Sequence, residues 1–548
     1  MGGPSRPGRP SRPGRAPSAG AAVVSTVLAR RGEGGYQQYR IPALAVTPAG
    51  TLLAAYDARP TLDDLPSPVD LVLRRSPDAG RTWDAQRVLR TGTGLQGFGD
   101  PSLLVDRTAG RVFCFHAATT RWGFFESGEG SERTQHVDVS VSDDDGATWR
   151  HRRLTGMLKR PGIRGIFAAS GTGTQVDAGD YAGRLLQPCV VLLGDSAAPP
   201  GSGLPGSGVR IAAAVAYSDD HGDSWTLGEP LAPGATGVHT NESSVAALAD
   251  GTVLLHSRAT PHRLMAYSTD GGHTFSVPRP DPGLPDPSDN GSVLRLAGAG
   301  VDRAGGTVGT ADRLVASHNA HPHLRRNTVL RYSPDGGAHW TGEWVLEAGA
   351  SAYSTAVELP DGRIGVLYER GAYEEIVFAA VPLDALRAGA PMVPTAVSRG
   401  RGLPGQPGLL VEVAARSITP APPSRWSFRD PHVVLGSADA GFGSEGKEVG
   451  QAGAQVVGSR RDFRANYGPP RTGVGPGDVI AYSAAVTNTG AGAVVVRPVG
   501  SIQDAGPART VVPGATEVWP HLNHRLDDSR TALDLRWDVR PAEAGRRD

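Results

Sequence analysis

An octet of the form S-x-D-x-G-x-(T/S)-W, with variants, occurs five times in the 548 residues: Ser76–Trp83, Ser142–Trp149, Ser218–Trp225, Ser268–Phe275 and Ser333–Trp340. Each copy follows a short run with strand character: DLVLRR, HVDVSV, IAAAVAY, RLMAY and TVLRY. The octet is a turn by its chemistry. Ser and Asp side chains bond nearby backbone amides, Gly permits positive φ, and the closing aromatic packs back on the strands. Its carboxylates therefore mark a fold and carry no catalytic implication. A spacing of roughly 50 to 75 residues suits a four-stranded blade with its loops. Five copies predict an all-β chain with a propeller of five or six blades. We take six, one of them without a recognisable octet.

Other segments fit that reading. RIPALAVT and TLLAAYDA, around a Pro-Ala-Gly turn, read as a hairpin, and a Pro- and Asp-rich loop follows it. VAALADGTVLLHSR and TAVELPDGRIGVLYERG each place an Asp-Gly turn between apolar strands. AAVVSTVLA reads as the first strand, and IVFAAVPLDAL as a last strand that closes the ring. The texture changes near Pro391. The expected organisation is a leader over 1–20, a propeller over 21–390, a linker over 391–407 and a second β domain over 408–548. In that last region DVIAYSAAVTNTGAGAVVVRPVG has the alternation of an immunoglobulin-like sandwich. It carries no octet and no catalytic cluster. Carbohydrate contact, adhesion and a plain stabilising role all remain open for it.

The 55 basic and 55 acidic residues cancel, which gives no support for nucleic acid or a polyanionic surface as partner. Any anion recognition must be local. Cys114 and Cys189 are too few for a disulfide framework and read as small buried apolar residues. No run approaches the roughly 20 apolar residues of a membrane helix. The basic, Pro-rich start MGGPSRPGRPSRPGRAPSAG reads as disordered and does not resemble a signal peptide.

YRIP at Tyr39–Pro42, together with the five octets in this order, resembles the Asp-box (BNR-repeat) sialidase superfamily, over about Val23 to Leu386, and is most similar to its secreted bacterial exo-sialidases. The resemblance implies a site. Three arginines would hold a substrate carboxylate: Arg40 in YRIP, Arg258 at the end of LLHSR, and Arg325 or Arg326 in HLRRNTVLRYS, with Arg325 favoured. Arg331 is expected on a strand surface. Asp64, a few residues after the DARP element, would be the acid/base, with Asp63 as runner-up, and Arg59 would support the carboxylate pocket. Tyr353 in SAYSTAVELPDG would be the nucleophile, and Glu242 in VHTNESSVAAL its base. Asp100 in GFGDPS would contact the sugar, and Phe167–Gly171 would lie near its N-acyl group. His239, His321 and His323 have no metal-ligand spacing and read as loop residues.

The chemistry fits those residue types. Sialic acid carries a carboxylate on its anomeric carbon, which a carboxylate nucleophile would meet head-on. A neutral phenol avoids that repulsion, and sialidases depart from the usual retaining glycosidases in using one. A phenol pKa of about 10 requires a neighbouring base. Arginine suits the carboxylate because its planar fork binds in a bidentate manner and stays charged. The expected activity is release of terminal α-linked sialic acid, with retention, from a sialylated glycoprotein, glycolipid or oligosaccharide. No metal or organic cofactor is implied, and a monomer is the default expectation. The rival readings are a lectin-like propeller that binds sialic acid without turnover and a trans-sialidase that passes it to another sugar. The resemblance suggests secretion; the N-terminus does not supply the signal for it.

Overall fold

The computed structural model describes residues 23–194, 209–234, 237–297, 300–301, 307–308, 312–388, 401–403, 406–419, 478–500, 502, 507–525 and 535–542. The leader expected over 1–20 lies outside them. Nearly all regular structure is β, and the helices among the described residues are the short segments Thr155–Leu158 and Leu383–Ala388. No described helix is long and apolar enough to cross a membrane.

Four sheets, antiparallel apart from the short parallel pairing of Gly171–Thr172 with Gly97–Asp106, follow one another along the chain. The first runs Gln38–Val46, Leu52–Arg59, Asp70–Ser76 and Arg87–Arg90; the second begins at Gly97–Asp106, the third at Ile163–Ala168 and the fourth at Ser243–Ala247. A seven-stranded sheet comes next. Its long strand Gly342–Glu358 changes partner midway: Gly342 to Ala350 pair with the strand Arg326–Ser333, and Ser351 to Glu358 with Arg363–Arg370. The strand Glu375–Pro382 then pairs with the chain's first described strand, Val24–Arg30, so the two ends of this unit are joined by a ladder.

Every octet starts on the last residue of a strand and leads to the next strand of the same sheet. In the first, Ser76 Oγ accepts the Gly80 amide (2.9 Å) and donates to Asp78 (2.9 Å), which accepts the Thr82 amide (2.8 Å) and hydroxyl (2.7 Å). The Thr82 amide and hydroxyl pull the Asp78 carboxyl down to about 2. The same bonds recur around Asp144, Asp220 and Asp270, and around Asp335 with His339 Nδ1 in place of a hydroxyl. These carboxylates are consumed by the turn, as the sequence implies.

The octets also join neighbouring sheets. Gly80 lies against Phe378 of the seven-stranded sheet, Gly146 against Leu53 of the first sheet, and Gly222 against Phe113 of the second. Large apolar cores fill the spaces between sheets, as with Phe113, Phe115 and Trp225 between the second and third. Cys114 and Cys189 are buried and unpaired with each other, as expected for small apolar residues.

Among its described residues, the second unit has two sheets that share one core. One contains Arg401–Leu403, Gln406–Thr419, Val479–Asn488 and Thr516–Arg525; the other Val494–Gly500, Arg509–Val511 and Leu535–Pro541. Leu409, Val486, Val496, Val511, Trp519 and Leu522 form its core. Within the linker expected over 391–407, Arg401–Leu403 is a strand paired with Gln406–Thr419. It is an edge strand, and an edge tolerates the Gly- and Pro-rich composition that suggested a linker.

The Gly80 turn gives a direct test. Its φ is +84°, and a Cβ there would stand 2.1 Å from the Phe378 ring. Gly80→Ala should lower stability by about 3 kcal/mol through overpacking and left-handed strain. Equilibrium urea unfolding measures this, and a loss below about 0.5 kcal/mol would remove the octet from the packing between sheets.

Candidate active site

The strand Gln38–Val46 packs beside Gly97–Asp106 and Gly342–Glu358. Its register breaks between Arg40 and Ala43, and Ile41 has φ +59°. Arg40 is the last residue paired before the break, opposite Asp57, and Ile41 and Pro42 drop out of the ladder. Arg40 donates to both oxygens of Glu369 (3.1 and 3.3 Å), and the same carboxylate accepts the Ile41 amide (2.7 Å) and the Tyr353 amide (3.2 Å). Glu369 is fully buried, so one carboxylate fixes the first arginine and the backbone of Tyr353 together.

Tyr353 is the centre of the cluster. Its hydroxyl donates to Glu242 Oε2 at 2.5 Å, and Arg258 Nη1 donates both to that carboxylate (2.5 Å) and to the Tyr353 oxygen. The guanidinium carbons of Arg40, Arg258 and Arg325 stand 5.4, 6.0 and 5.3 Å from the Tyr353 ring centre. Burial pushes the Tyr353 phenol well above its ordinary value, although Arg258 and Arg325 work against this. The free site therefore holds a protonated phenol beside a carboxylate. Ser170 Oγ donates to the other Glu242 oxygen (2.9 Å), and Asn290 donates to Ser170 (2.9 Å).

Arg325 directly precedes a strand, with Asn327 left-handed at φ +62°. It donates to the Tyr373 hydroxyl (3.0 Å) and pairs with Asp289 (3.4 Å). Burial pushes the Asp289 carboxyl up to about 7, with Arg325 opposing. Tyr373 closes the corner: the Arg40 guanidinium lies 4.0 Å over its ring. Ala372 and Tyr373 both have positive φ, a turn that two non-glycine residues adopt only under constraint.

The acid side lies on the loop after the strand Leu52–Arg59. Arg59 donates to Asp57 (2.6 and 3.0 Å) and to Asp64 (2.8 Å). The Asp64 side chain keeps 81% of its surface and faces the open cleft. Enclosure by the cleft walls works against its charge, but Arg59, then Arg40 and Arg325, outweigh this and hold the carboxyl below its ordinary value. Asp57 is buried, and burial raises its carboxyl to about 6 against the pull of Arg59. It also accepts the Asp100 amide (3.0 Å). Burial, then Asp57, raises the Asp100 carboxyl well above its ordinary value.

Of the residues expected in the site, Arg40, Arg258, Arg325 and Glu242 are each in direct contact with Tyr353 or in range of its ring. Asp64, Arg59 and Asp100 form the adjoining wall. Arg59 spends its fork on Asp57 and Asp64, on the acid side of the cleft. Asp63 turns to Thr61 (2.8 Å), and Arg331 pairs with Glu343 away from the cluster. Of Phe167–Gly171, Ser170 reaches the cluster through Glu242. Glu369, Asp57, Asp289 and Tyr373 were not anticipated. The available signal was a charged or phenolic residue inside an apolar strand or at its end, as in IGVLYERGAY. Among the described residues, no group of three or more His, Cys, Asp or Glu is placed to hold a metal.

The fold and the site define a repeat-built all-β protein with a cluster of arginines around a phenol–carboxylate pair. A family model described as a BNR repeat-like domain matches residues 50–366. The chain is 41% identical over 355 residues to a sialidase of Micromonospora viridifaciens, a match covering 63% of this chain and 52% of that one. It is 30% identical over 366 residues to a sialidase of Bacteroides fragilis, covering 63% and 62%. Among solved structures, the Hadza microbial sialidase Hz136 aligns with a TM-score of 0.55 at 25% identity, over 66% of this chain and 69% of that one. A leech intramolecular trans-sialidase shares the fold, with a TM-score of 0.56 at 19% identity over 68% and 71%. The chain belongs to the BNR-repeat sialidase superfamily. It spans about half the length of the Micromonospora relative.

Glu369→Gln should leave the buried Arg40 without its counter-charge and lower stability by about 3 kcal/mol, measured by urea unfolding. A loss below about 1 kcal/mol would mean that Arg40 is held by other groups.

Proposed function

We propose that this chain releases terminal α-linked sialic acid from glycoconjugates by hydrolysis, with retention, through a tyrosyl–enzyme intermediate. The observation that carries the reading is the Tyr353–Glu242 hydrogen bond at 2.5 Å inside a ring of three arginines. Arg40, Arg258 and Arg325 bind the sugar carboxylate. Glu242 takes the phenol proton as Tyr353 Oη attacks the anomeric carbon. Asp64 donates a proton to the leaving oxygen. In the second half, Asp64 removes a proton from water, the water oxygen displaces the tyrosyl oxygen, and Glu242 returns the proton to Tyr353. Two inversions give net retention. Asp100 contacts the sugar, and Phe167–Gly171 lies near its N-acyl group. The substrates are sialylated glycoproteins, glycolipids or oligosaccharides.

We infer further that the four sheets and the seven-stranded sheet are six blades of a propeller. The seven-stranded sheet supplies two blades that share the bent strand Gly342–Glu358. The contact of Gly80 with Phe378 and the pairing of Val24–Arg30 with Glu375–Pro382 support a closed ring. We place the propeller at about 21–390 and an immunoglobulin-like sandwich from about 401 to the end, and take the chain to be a monomer. An anhydrosialidase of Macrobdella decora is 29% identical over 250 residues, so transfer of the sugar to its own hydroxyl is a second reading.

Asp64 gives a pH dependence. Its folded value is depressed, so the acid form needed for protonation is lost as pH rises through and above that low value. The rate kcat/KM on an aryl sialoside should therefore rise toward mildly acidic pH. A bound carboxylate neutralises part of the arginine field that depresses Asp64, so the alkaline limb of kcat should lie at higher pH than that of kcat/KM. Coincident limbs would contradict this role. Tyr353→Phe should lower kcat by at least about a thousandfold, read as fluorescence release from the same glycoside. An unaffected rate would discard Tyr353. Mass analysis of the product separates free sialic acid from an anhydro sugar.

A further inference from the structure

The second β unit reaches the pocket. Its strand Gln406–Thr419 packs against Gly342–Glu358 of the first unit. Glu412 on that strand meets His321 Nε2 at 2.7 Å. The other ring nitrogen, Nδ1, accepts the amides of His323 (3.0 Å) and Leu324 (2.9 Å). Nε2 therefore bears the proton and donates it to Glu412, without a charged ring. This clasp fixes the turn that ends at Arg325.

Four residues beyond Glu412, the register of the strand slips between Ala415 and Ser417. Bulges re-aim a side chain, and here the residue at the slip is Arg416. Its Nη1 donates to the Pro520 carbonyl (3.3 Å), which also accepts Ser483 Oγ (3.0 Å), so its own sheet holds it in place. Arg416 interacts electrostatically with Arg325, Tyr373, Arg40 and Asp289. Two of these are pocket arginines, and Tyr373 bonds the one and underlies the other.

We infer that Arg416 is a fourth cation of the carboxylate pocket, supplied by the second β unit, and that it tightens binding of the anionic sugar. The inference rests on the carboxylate-binding reading of the three arginines. A guanidinium held near two others is repelled by them in the empty site, and an arriving carboxylate relieves that repulsion. The second unit is then part of the substrate site as well as a spacer.

The test uses the full chain. Arg416→Ala and Arg416→Lys are compared with wild type for kcat and KM on an aryl sialoside, and by calorimetry for the Kd of 2-deoxy-2,3-didehydrosialic acid. Thermal melting checks that each variant is folded. Arg416→Ala should raise KM and Kd about tenfold with kcat within about twofold, and Arg416→Lys should recover most of the loss. Added salt should weaken wild-type binding more than that of the alanine variant. Unchanged KM and Kd in the folded alanine variant would overturn the inference. Failure of lysine to restore binding would also overturn it, because it would reveal a packing role. If turnover is absent but the analogue binds, the Kd arm still decides the place of Arg416. If wild type neither turns over nor binds, the carboxylate reading itself fails and Arg416 falls with it.

Discussion

Four guanidiniums meet in one small space, and each has its own carboxylate. Glu369 holds Arg40, Glu242 holds Arg258, Asp289 holds Arg325 and Asp57 holds Arg59. A buried cation without such a partner would cost several kcal/mol and would drag water or disorder into the pocket. Pairing keeps every fork charged and oriented before any ligand arrives. Three of the carboxylates reach further. Glu369 also fixes the Tyr353 amide, Glu242 accepts the Tyr353 hydroxyl, and Asp57 fixes the Asp100 amide. The ion pairs that make the arginines tolerable therefore also set the geometry around the phenol.

The fold makes this pairing possible by bringing distant strands to a common centre. Arg40 and Glu369 are more than 300 residues apart, and Glu242 and Tyr353 more than 100. Each sits on, or beside the end of, a strand whose neighbours are apolar, so the strands are anchored by burial and only their ends are spent on charge. The octets work at the turns between strands, where their glycines Gly80, Gly146 and Gly222 press on a neighbouring sheet. Their ionised aspartates and the site's aspartates are the same residue type in opposite surroundings. Asp78 is held low by an amide and a hydroxyl, while Asp57 and Asp100 are raised by burial.

Much of this was legible in the sequence, and the reasons differ by element. The octets announce their turns because each is local: the bonds that close the turn run between residues of the same eight positions. Arg40 was legible through YRIP, whose Ile41 takes a left-handed bend directly after the arginine. The choice of Arg325 over Arg326 depends on which side of a strand start faces the cleft, and only the register with Ala350 places Arg326 in the ladder. Glu369, Asp57, Asp289 and Tyr373 were missed because their partners lie on other strands. A buried Glu in VLYER carries no local mark of the arginine it serves. Arg401–Leu403 was missed because an edge strand needs little apolar patterning.

Tyr353 is the residue proposed to form the covalent bond to the sugar. Incubation with a 3-fluorosialosyl fluoride, whose leaving fluoride speeds the first step and whose second fluorine slows both, followed by peptide mass spectrometry, tests it most directly. The account predicts a sialosyl adduct on Tyr353, formed as activity is lost. An adduct on Glu242 or Asp64, or turnover of the reagent by an enzyme in which Tyr353 is replaced by phenylalanine, would contradict it.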